Sequence, residues 1–304
     1  MLITRYRPER LDQIVGNKSV IASIESILSR DIEKIPHTFM LVGLPGCGKT
    51  TIARIIAARL QCTGQDVHET NAANFTGIDN IRDIISQMKY KPMESDTKVW
   101  IMDECHKLSG PAQDSFLKAL EEPPEHVYFI LCTTDPQTMK KAVLRRCSIH
   151  ELKPINEQQM MGYLETILIK EKKGGTVPLE ILEQITTDSG GQPGVALGLL
   201  DKIIDLPAKD MKDALKQSIS EKSQAIELCR ALIKGASWKE IAEILKGIEE
   251  EPETVRRIVL GYCNTVLLSG NSKAFSIMNE FVDPFYNTGK PGLTWACYRA
   301  FMNK

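Results

Sequence analysis

One short stretch constrains this chain more than any other. Gly43–Thr50 reads GLPGCGKT, which fits the pattern G-x-x-x-x-G-K-T of a phosphate-binding loop. The apolar run Phe39–Val42 precedes it and a segment with helical spacing, Thr50–Leu60, follows it, as the pattern requires. The alternative is a Gly-rich turn from strand to helix with an incidental lysine. The fixed positions and their context together favour a site for nucleotide phosphates.

The residues of this loop have separate chemical tasks. The glycines let consecutive backbone N–H groups approach phosphate oxygens, and the following helix adds the positive end of its dipole. Lys49 is expected to reach the β- and γ-phosphates, and the Thr50 hydroxyl is expected to coordinate Mg²⁺. The residues predicted to bind the phosphates and the metal are Gly43, Gly46, Cys47, Gly48, Lys49, Thr50 and Thr51.

Two adjacent carboxylates follow another apolar run. Val99–Met102 has the composition of a buried strand, and Asp103 and Glu104 come directly after it. Ligands of open α/β sheets bind at the carboxyl ends of the strands. Asp103 is therefore expected to hold Mg²⁺, and Glu104 to orient or deprotonate an attacking water. Alone, such a pair is often a helix N-cap, but beside a phosphate loop it favours nucleotide hydrolysis.

Polar residues after two later elements extend this predicted edge. Thr134 follows the candidate strand Val127–Cys132, where its hydroxyl would position the water or sense the γ-phosphate. A threonine before Asp-Pro is also an ordinary turn starter. Arg145 and Arg146 precede the next strand, where an arginine of one subunit can reach the nucleotide of its neighbour. A solvated basic corner is the alternative for both arginines.

The alternation of β-rich and helical runs predicts an α/β fold with a parallel sheet and crossover helices. After Pro154 the strand signals fade, and only helical periodicity continues to the end. We therefore expect three regions, at residues 1–153, 154–206 and 207–304. The candidate strands are Thr38–Val42, Asp66–Thr70, Val99–Met102, Val127–Cys132 and Ser148–Leu152, and the candidate helices are Thr50–Leu60, Ile78–Met88, 156–172, 178–188 and 194–204.

Composition excludes several classes of protein. The 38 basic and 39 acidic residues leave a net charge of −1, so any contact with nucleic acid must be local. The first residues, MLITRYRPERL, carry charges where a secretory signal has an apolar core, and no run is apolar enough to span a membrane. The eight scattered cysteines form no CxxC pair, so we expect a cytosol-like compartment without disulfides or zinc.

Several further segments carry a family resemblance. The most specific is Lys118–Pro124, KALEEPP. The others are Arg5–Pro8 with Ile14–Gly16, Gly43–Thr50, Asn71–Ala73 with Ile78–Asp83, Val99–His106, Thr133–Pro136 and Arg146-Cys147. With these segments, residues 1–205 resemble the ATPase subunits of replicative sliding-clamp loaders, members of the AAA+ superfamily. The resemblance is greatest to the bacterial gamma/tau type, with phage loader subunits as the alternative.

The resemblance implies an architecture and roles that spacing does not reveal. It implies a RecA-like AAA+ core at residues 1–153, a helical lid at 154–206 and a helical collar at 207–304 that joins subunits. Thr134 corresponds to the first sensor. Arg146 matches the arginine of a Ser-Arg-Cys finger motif, but Arg145 replaces the serine, so either arginine is a candidate finger. The residues implied to pack around adenine are Arg5, Tyr6, Arg7, Pro8, Val15 and Gly16.

Two departures from the family pattern stand out. The bacterial subunits carry a cysteine-rich zinc module after the phosphate-loop helix, which this sequence lacks, so no zinc is expected. In the lid, Gly194 stands where the family usually has a second-sensor arginine. That change would weaken the coupling between lid position and ATP unless another cation substitutes.

The function that the resemblance implies is ATP hydrolysis, with Mg²⁺, by a loader subunit that opens a sliding clamp and places it on primer–template DNA. The implied assembly is a pentameric ring or spiral, homo- or hetero-oligomeric, in the cytoplasm of a bacterium or a phage-infected cell, without a membrane. Arg82 is a candidate DNA contact or a plain surface charge, and Phe116 and Leu117 on Ala112–Leu120 face the clamp or belong to the core. The alternatives are a helicase loader or branch-migration motor, and an ATP-binding scaffold subunit with little turnover.

Overall fold

The computed structural model describes residues 1–72, 77–222, 224–248, 250–268, 271–285 and 288–302. Ala73, which carries part of the resemblance, lies outside these ranges. The described chain divides into two compact units, Met1–Met211 and Lys212–Lys304. The predicted core and lid both lie in the first unit, and their separation as domains stays a prediction. The unit boundary falls five residues after the predicted start of the collar at 207, inside a helix.

The first unit is built on a sheet whose five strands are all parallel, in the order β2-β3-β4-β1-β5. Every residue of β1 and β4 is buried, because helices cover both faces of the sheet. This arrangement confirms the predicted α/β class. The strands are β1 (Thr38–Val42), β2 (Val67–Asn71), β3 (Lys98–Asp103), β4 (Val127–Thr133) and β5 (Ser148–Glu151).

The second strand begins one residue later than predicted. Asp66 is 1% exposed and ends a short 3₁₀ helix, Gly64–Asp66, before the strand. Its carboxylate accepts three backbone N–H groups from Met93–Ser95, at 2.7 to 2.9 Å. Burial raises the pKa of Asp66, but these N–H donors outweigh it and hold the pKa below its usual value. The side chain thus anchors a loop instead of starting the strand.

Successive strand residues point to opposite faces, and each face has its own apolar core. Helices α2 and α3 cover one face, and α4, α5 and α6 cover the other. Phe116 on α5 is fully buried, with its ring edge-on to Phe129 at 5.0 Å, so it is a core residue. Leu117 is partly buried against the same core. The helices are α1 (Leu2–Arg5), α2 (Lys18–Leu28), α3 (Lys49–Arg59), α4 (Ile78–Gln87), α5 (Gly110–Glu121) and α6 (Lys141–Leu144).

Three further helices complete the first unit, within about a turn of the predicted positions. They are α7 (Glu157–Lys170), α8 (Leu179–Asp188) and α9 (Pro193–Ile203). Asn156 caps α7 by accepting the Gln159 N–H at 2.8 Å, which fixes where this helix begins. The Leu2 N–H donates to Asp201 at 2.9 Å, so α1 is tied to α9. The amino-terminal segment therefore lies against these helices.

The second unit is helical in its described residues, as predicted. Its core contains fully buried residues from several helices, among them Leu228, Val259, Phe281 and Leu293. The run Glu249–Pro252 predicts a helix boundary; Glu249 lies outside the described residues, and Pro252 is the first residue of a helix. The helices are α10 (Ala208–Lys222), which spans the boundary between the units, α11 (Gln224–Lys234), α12 (Trp238–Gly247), α13 (Pro252–Leu268), α14 (Lys273–Glu280) and α15 (Gly289–Met302).

Within the described residues, no helix combines the length and apolar character that crossing a bilayer requires.

Candidate functional site

The phosphate loop connects β1 to α3, in the context that the motif predicts. Gly46 and Gly48 have φ angles of +76° and +94°, a conformation that residues with a Cβ rarely adopt. The Gly43 N–H donates to the Thr133 carbonyl at 3.1 Å, which joins the start of the loop to the end of β4. The loop is therefore anchored on the sheet before it turns into the helix.

Lys49, the first residue of α3, is only 5% exposed. Its Nζ donates to the carbonyl oxygens of Gly43 and Leu44, at 2.8 and 3.1 Å. These carbonyls hold the ammonium group beside the loop, and a phosphate oxygen is a stronger acceptor than either. The neighbouring Cys47 also lines the cleft, and burial raises the pKa of its thiol, so it is a neutral thiol there.

The hydroxyl and carboxylate predicted to hold Mg²⁺ meet directly. The Thr50 hydroxyl donates to Asp103 Oδ2 at 2.8 Å, and the Glu104 N–H donates to Asp103 Oδ1 at 3.0 Å. Both side chains line the cleft beside Lys49. A hydroxyl and a carboxylate oxygen are ligands that Mg²⁺ accepts, so the residues present fit the metal that the motif implies.

Glu104 has a left-handed backbone, with φ at +52°. Such a conformation costs a non-glycine residue about 1–3 kcal/mol and is concentrated at functional sites. The Glu104 carboxylate lies 3.3 Å from His106 Nε2. The other ring nitrogen, Nδ1, lies 3.2 Å from the Thr133 hydroxyl, which also accepts the Asp135 N–H at 3.0 Å. The carboxylate is thus linked through an imidazole to the end of β4.

The hydroxyl that contacts the His106 ring belongs to Thr133, which is fully buried. Thr134 is partly buried, and its role as the first sensor stays a prediction. Sequence reasoning missed both His106 and Thr133 as site residues. A signal was present, because His106 follows Glu104 by two positions and Thr133 adjoins Thr134, but the pattern does not reveal that they touch.

A cleft of about 320 Å³ is lined by the phosphate loop, Asp103 and Glu104, by the amino-terminal segment and by helices α7 and α9. Its walls also include Pro45 of the phosphate loop and four residues that the sequence did not indicate: Ile3, Gln13, Tyr163 and Leu197. The predicted site residues that line it are Tyr6, Arg7, Pro8, Val15, Gly46, Cys47, Gly48, Lys49, Thr50, Thr51, Asp103 and Glu104.

Tyr163 is the largest wall residue that the sequence did not indicate. It lies on α7, and burial raises the pKa of its hydroxyl to about 12. Since α7 reaches the cleft only through tertiary packing, nothing in the local pattern around Tyr163 marks it as a site residue.

Five of the predicted site residues lie away from the cleft wall: Arg5, Gly16, Gly43, Thr134 and Arg146. Arg5 contributes through Glu171, just past the end of α7, because Glu171 accepts Tyr6 Oη at 2.6 Å and Arg5 Nη1 at 2.7 Å. These donors, Tyr6 first, hold the pKa of Glu171 below its usual value. Arg5 and Glu171 therefore fix the orientation of Tyr6 at the cleft.

Gly194, in the first turn of α9, touches the phosphate loop through its backbone. Its N–H donates to the Gly46 carbonyl at 3.0 Å. A Cβ at position 194 would lie 3.3 Å from the Gly46 Cα and carbonyl oxygen, closer than side chains usually approach. Helix α9 thus contacts the loop at the position where an arginine was expected, and a side chain there would force the two apart.

The two candidate finger arginines differ in their surroundings. The Arg146 guanidinium donates to the Ala142 carbonyl at 2.8 Å and forms an ion pair with Glu121, in the run KALEEPP. Arg145 is exposed. Arg82, the candidate DNA contact, is paired with Asp79 at 2.9 Å on the surface of α4.

The cysteines of the described chain are free thiols, and all except Cys147 are buried. No group of three or more His, Cys, Asp or Glu side chains in the described ranges has an arrangement suited to a metal ion.

Comparison with sequences of known proteins gives a consistent result. A family described as DNA polymerase III, delta subunit, matches residues 65–156. The gamma subunit of DNA polymerase III from Buchnera aphidicola subsp. Schizaphis graminum is 32% identical over 79% of this chain and 71% of its own length. The gamma subunit from subsp. Acyrthosiphon pisum is 34% identical over 68% of this chain and 62% of its own. The Escherichia coli tau subunit is 31% identical over 86% of this chain, which spans only 44% of that protein.

Solved structures extend the likeness to the fold. A single-substitution mutant of Thermotoga maritima RuvB has a TM-score of 0.63 at 18% identity, covering 83% of this chain and 85% of the other. The structure of the same protein described as a Holliday junction branch migration motor gives 0.59 at 19% identity, covering 83% and 84%. At this identity the likeness concerns the fold alone.

Proposed function

This chain belongs to the family of DNA polymerase III gamma and tau subunits, and from this premise we propose that it is an ATP-hydrolysing subunit of a DNA sliding-clamp loader. The observation that carries the proposal is the cleft in which the phosphate loop, Asp103 and Glu104 meet. In the proposed role, ATP binding and hydrolysis open the clamp and load it on primer–template DNA during replication.

The side chains at the cleft have the chemistry that ATP hydrolysis needs. Lys49 exchanges its two carbonyl partners for phosphate oxygens, which are charged and bind an ammonium group more strongly. Thr50 and Asp103 hold Mg²⁺, which when bound neutralises charge that develops on the phosphates. Glu104 orients the attacking water and accepts its proton.

The base of the nucleotide is proposed to lie against the amino-terminal segment. Tyr6, Pro8 and Val15 give this part of the cleft an apolar wall, and Tyr163 adds a second aromatic ring from α7. Such a wall suits a flat base. Arg5 acts through Glu171, and Gly16 takes a left-handed turn, φ +74°, against Ile155.

The proposed assembly is a pentameric ring or spiral with other loader subunits, which also binds the sliding clamp and DNA in the cytoplasm. Arg146 is proposed to act on the ATP of a neighbouring subunit, where its guanidinium would exchange the ion pair with Glu121 for a phosphate oxygen. The net charge of −1 supports DNA binding by a few contacts from each subunit, such as Arg82, instead of a strong site on one chain.

One alternative has an observation in its favour. Gly194 in place of the second-sensor arginine suits a subunit that binds ATP and serves mainly as a scaffold. Glu104, Asp103 and Lys49 at one cleft favour turnover instead. A branch-migration motor has no comparable support, because the likeness to RuvB concerns the fold and the sequence relatives are gamma and tau subunits.

The test measures ATP hydrolysis by the assembled protein with and without primed DNA and the sliding clamp of the same organism. We expect both to stimulate turnover. Stimulation by DNA alone, with strand displacement, would support a motor, and an absence of turnover with intact ATP binding would support the scaffold.

The substitution Glu104→Gln tests the site itself. It removes the proton acceptor but keeps the size of the side chain, so ATP binding should stay and turnover should be abolished. Glu125→Gln, at an exposed carboxylate, is the matched control and should behave as the parent. Equal turnover in both variants would remove Glu104 from the reaction.

A further inference from the structure

We infer that His106 is a positioning residue that holds the Glu104 carboxylate and ties it to Thr133 at the end of β4. The inference rests on the proposed ATP hydrolysis, in which Glu104 acts on the attacking water. Glu104 lines the cleft, whereas His106 lies behind it and contacts Glu104 instead of the space for the nucleotide. His106 therefore acts through another side chain.

The hydrogen bonds around His106 fit one neutral tautomer. Thr133 Oγ1 accepts the Asp135 N–H at 3.0 Å and donates its own proton to His106 Nδ1 at 3.2 Å. Nε2 then carries the ring proton and faces Glu104 Oε2, which lies 3.3 Å away.

The two residues that His106 contacts, Thr133 and Glu104, differ in burial. Thr133 is fully buried in the central strand β4, next to β1 and the phosphate loop, so its hydroxyl is a fixed point. The Glu104 side chain is 31% exposed and has several rotatable bonds, and its backbone has left-handed geometry. The His106 side chain is 14% exposed, and its rigid ring bridges the fixed point to the flexible carboxylate. Loss of the bridge would release the carboxylate without removing it.

An enzyme whose catalytic group is misplaced by a fraction of an ångström still binds its reactants normally, but it converts them slowly. We therefore expect loss of the His106 bridge to lower kcat for ATP by about 10- to 100-fold while the ATP dissociation constant stays unchanged. A purely structural role would instead change ATP affinity and thermal stability together with kcat.

Two amide substitutions separate the two ends of the imidazole. In His106→Gln the amide nitrogen takes the place of Nε2, so the donor to Glu104 is kept. In His106→Asn the amide reaches only the place of Nδ1, so the bond to Thr133 can form and the one to Glu104 cannot. We expect the full loss of kcat in His106→Asn and recovery of most of it in His106→Gln, with His126→Asn as a control at a partly buried histidine that does not line the cleft.

The substitution Thr133→Val tests the second link, because it removes the hydroxyl and keeps the shape of the side chain. It should lower kcat less than His106→Asn does, since the imidazole stays in contact with Glu104. A kcat equal to that of the parent would overturn the link to Thr133.

The parent protein and Glu104→Gln are measured in the same series, so the two proposals fail separately. A parent that binds ATP without turnover overturns the proposed function and the inference together. An active parent and an inactive Glu104→Gln, with His106→Asn equal to the parent, overturn the inference alone. Equal losses in His106→Asn and His106→Gln would assign His106 a packing role and also overturn it.

Discussion

The two units of this chain treat buried polar groups differently. In Met1–Met211, polar side chains gather at the carboxyl ends of the strands, where Lys49 is buried and Glu104 has a strained backbone. In Lys212–Lys304, the core of the described helices is apolar, and the carboxylate of Glu253 is held by Arg256 at 2.6 Å. The first unit gathers a buried cation and a strained backbone at the candidate site, whereas the buried carboxylates of the second unit are paired with arginines.

The largest effect expected from this comparison is in the first unit. Lys49→Ala removes the cation that meets the phosphates, so turnover should fall by about 10³-fold while the chain stays folded. ATP binding, hydrolysis and circular dichroism measure this. Lys107→Ala, at an exposed lysine shortly after β3, is the control. Unfolding of the Lys49→Ala protein would mean that this lysine mainly stabilises the first unit.

The opposite result is expected in the second unit. Phe281→Ala empties a fully buried site in its core and should cost about 3–5 kcal/mol of stability. Hydrogen exchange should show lost protection in α11–α15, while the sheet stays protected and ATP still binds. Phe275→Ala, at a ring that is 65% exposed, should change little. Loss of ATP binding in Phe281→Ala would show that the units do not divide stability and chemistry in this way.

The pH dependence of stability sharpens the contrast between the two units. Hydrogen bonding to Arg256 holds the pKa of Glu253 below its usual value. The pair therefore stabilises the second unit above the ordinary carboxyl pKa of about 4.3, and this stabilisation is lost as the pH falls through the lower pKa of the folded state.

The substitution Glu253→Gln should thus cost about 1–3 kcal/mol at neutral pH and progressively less in acid. Urea unfolding at several pH values measures this cost, with hydrogen exchange in α13 as the readout. A cost that does not change with pH would mean that the charge of Glu253 contributes nothing.

The smallest effect concerns the contact between α9 and the phosphate loop. Gly194→Ala places a methyl group 3.3 Å from Gly46, so it should lower ATP affinity by a few-fold, or by about 1 kcal/mol. Gly198→Ala on the same helix is the matched control, because its Cβ would meet only the end of the Ile3 side chain at 3.6 Å. Equal ATP affinities in the two variants would separate this contact from nucleotide binding.

The sequence predicted those parts of the fold that local pattern determines. Strand β1 has the predicted bounds, Thr38–Val42, because an apolar run of that length next to the phosphate loop can only be a buried strand. Asp66 was wrongly placed in a strand, because its three partners lie in a loop about 30 positions away. Periodicity carries no information on such a contact.

The candidate site likewise contains residues that local motifs predict and residues that only tertiary packing brings in. Lys49, Thr50 and Asp103 lie where the motifs predict. The loop after β1 fixes Lys49 and Thr50 next to each other, and the end of β3 places Asp103 at the same edge of the sheet, with only β4 between the two strands. Tyr163 and Leu197 reach the cleft from α7 and α9, and their positions depend on packing across the unit. His106 was missed because its role arises from contacts with both Glu104 and Thr133.

The bond between the Gly194 N–H and the Gly46 carbonyl has a consequence for how such chains diverge. It joins two main-chain groups, so among substitutions at position 194 only proline removes the donor, and other side chains act on the bond through their bulk. The residue type at position 194 shows only that the expected arginine is absent, whereas the backbone bond still connects helix α9 to the loop. Exchanging one functional group for another does not test such a bond, but replacing the peptide nitrogen by an ester oxygen would remove it.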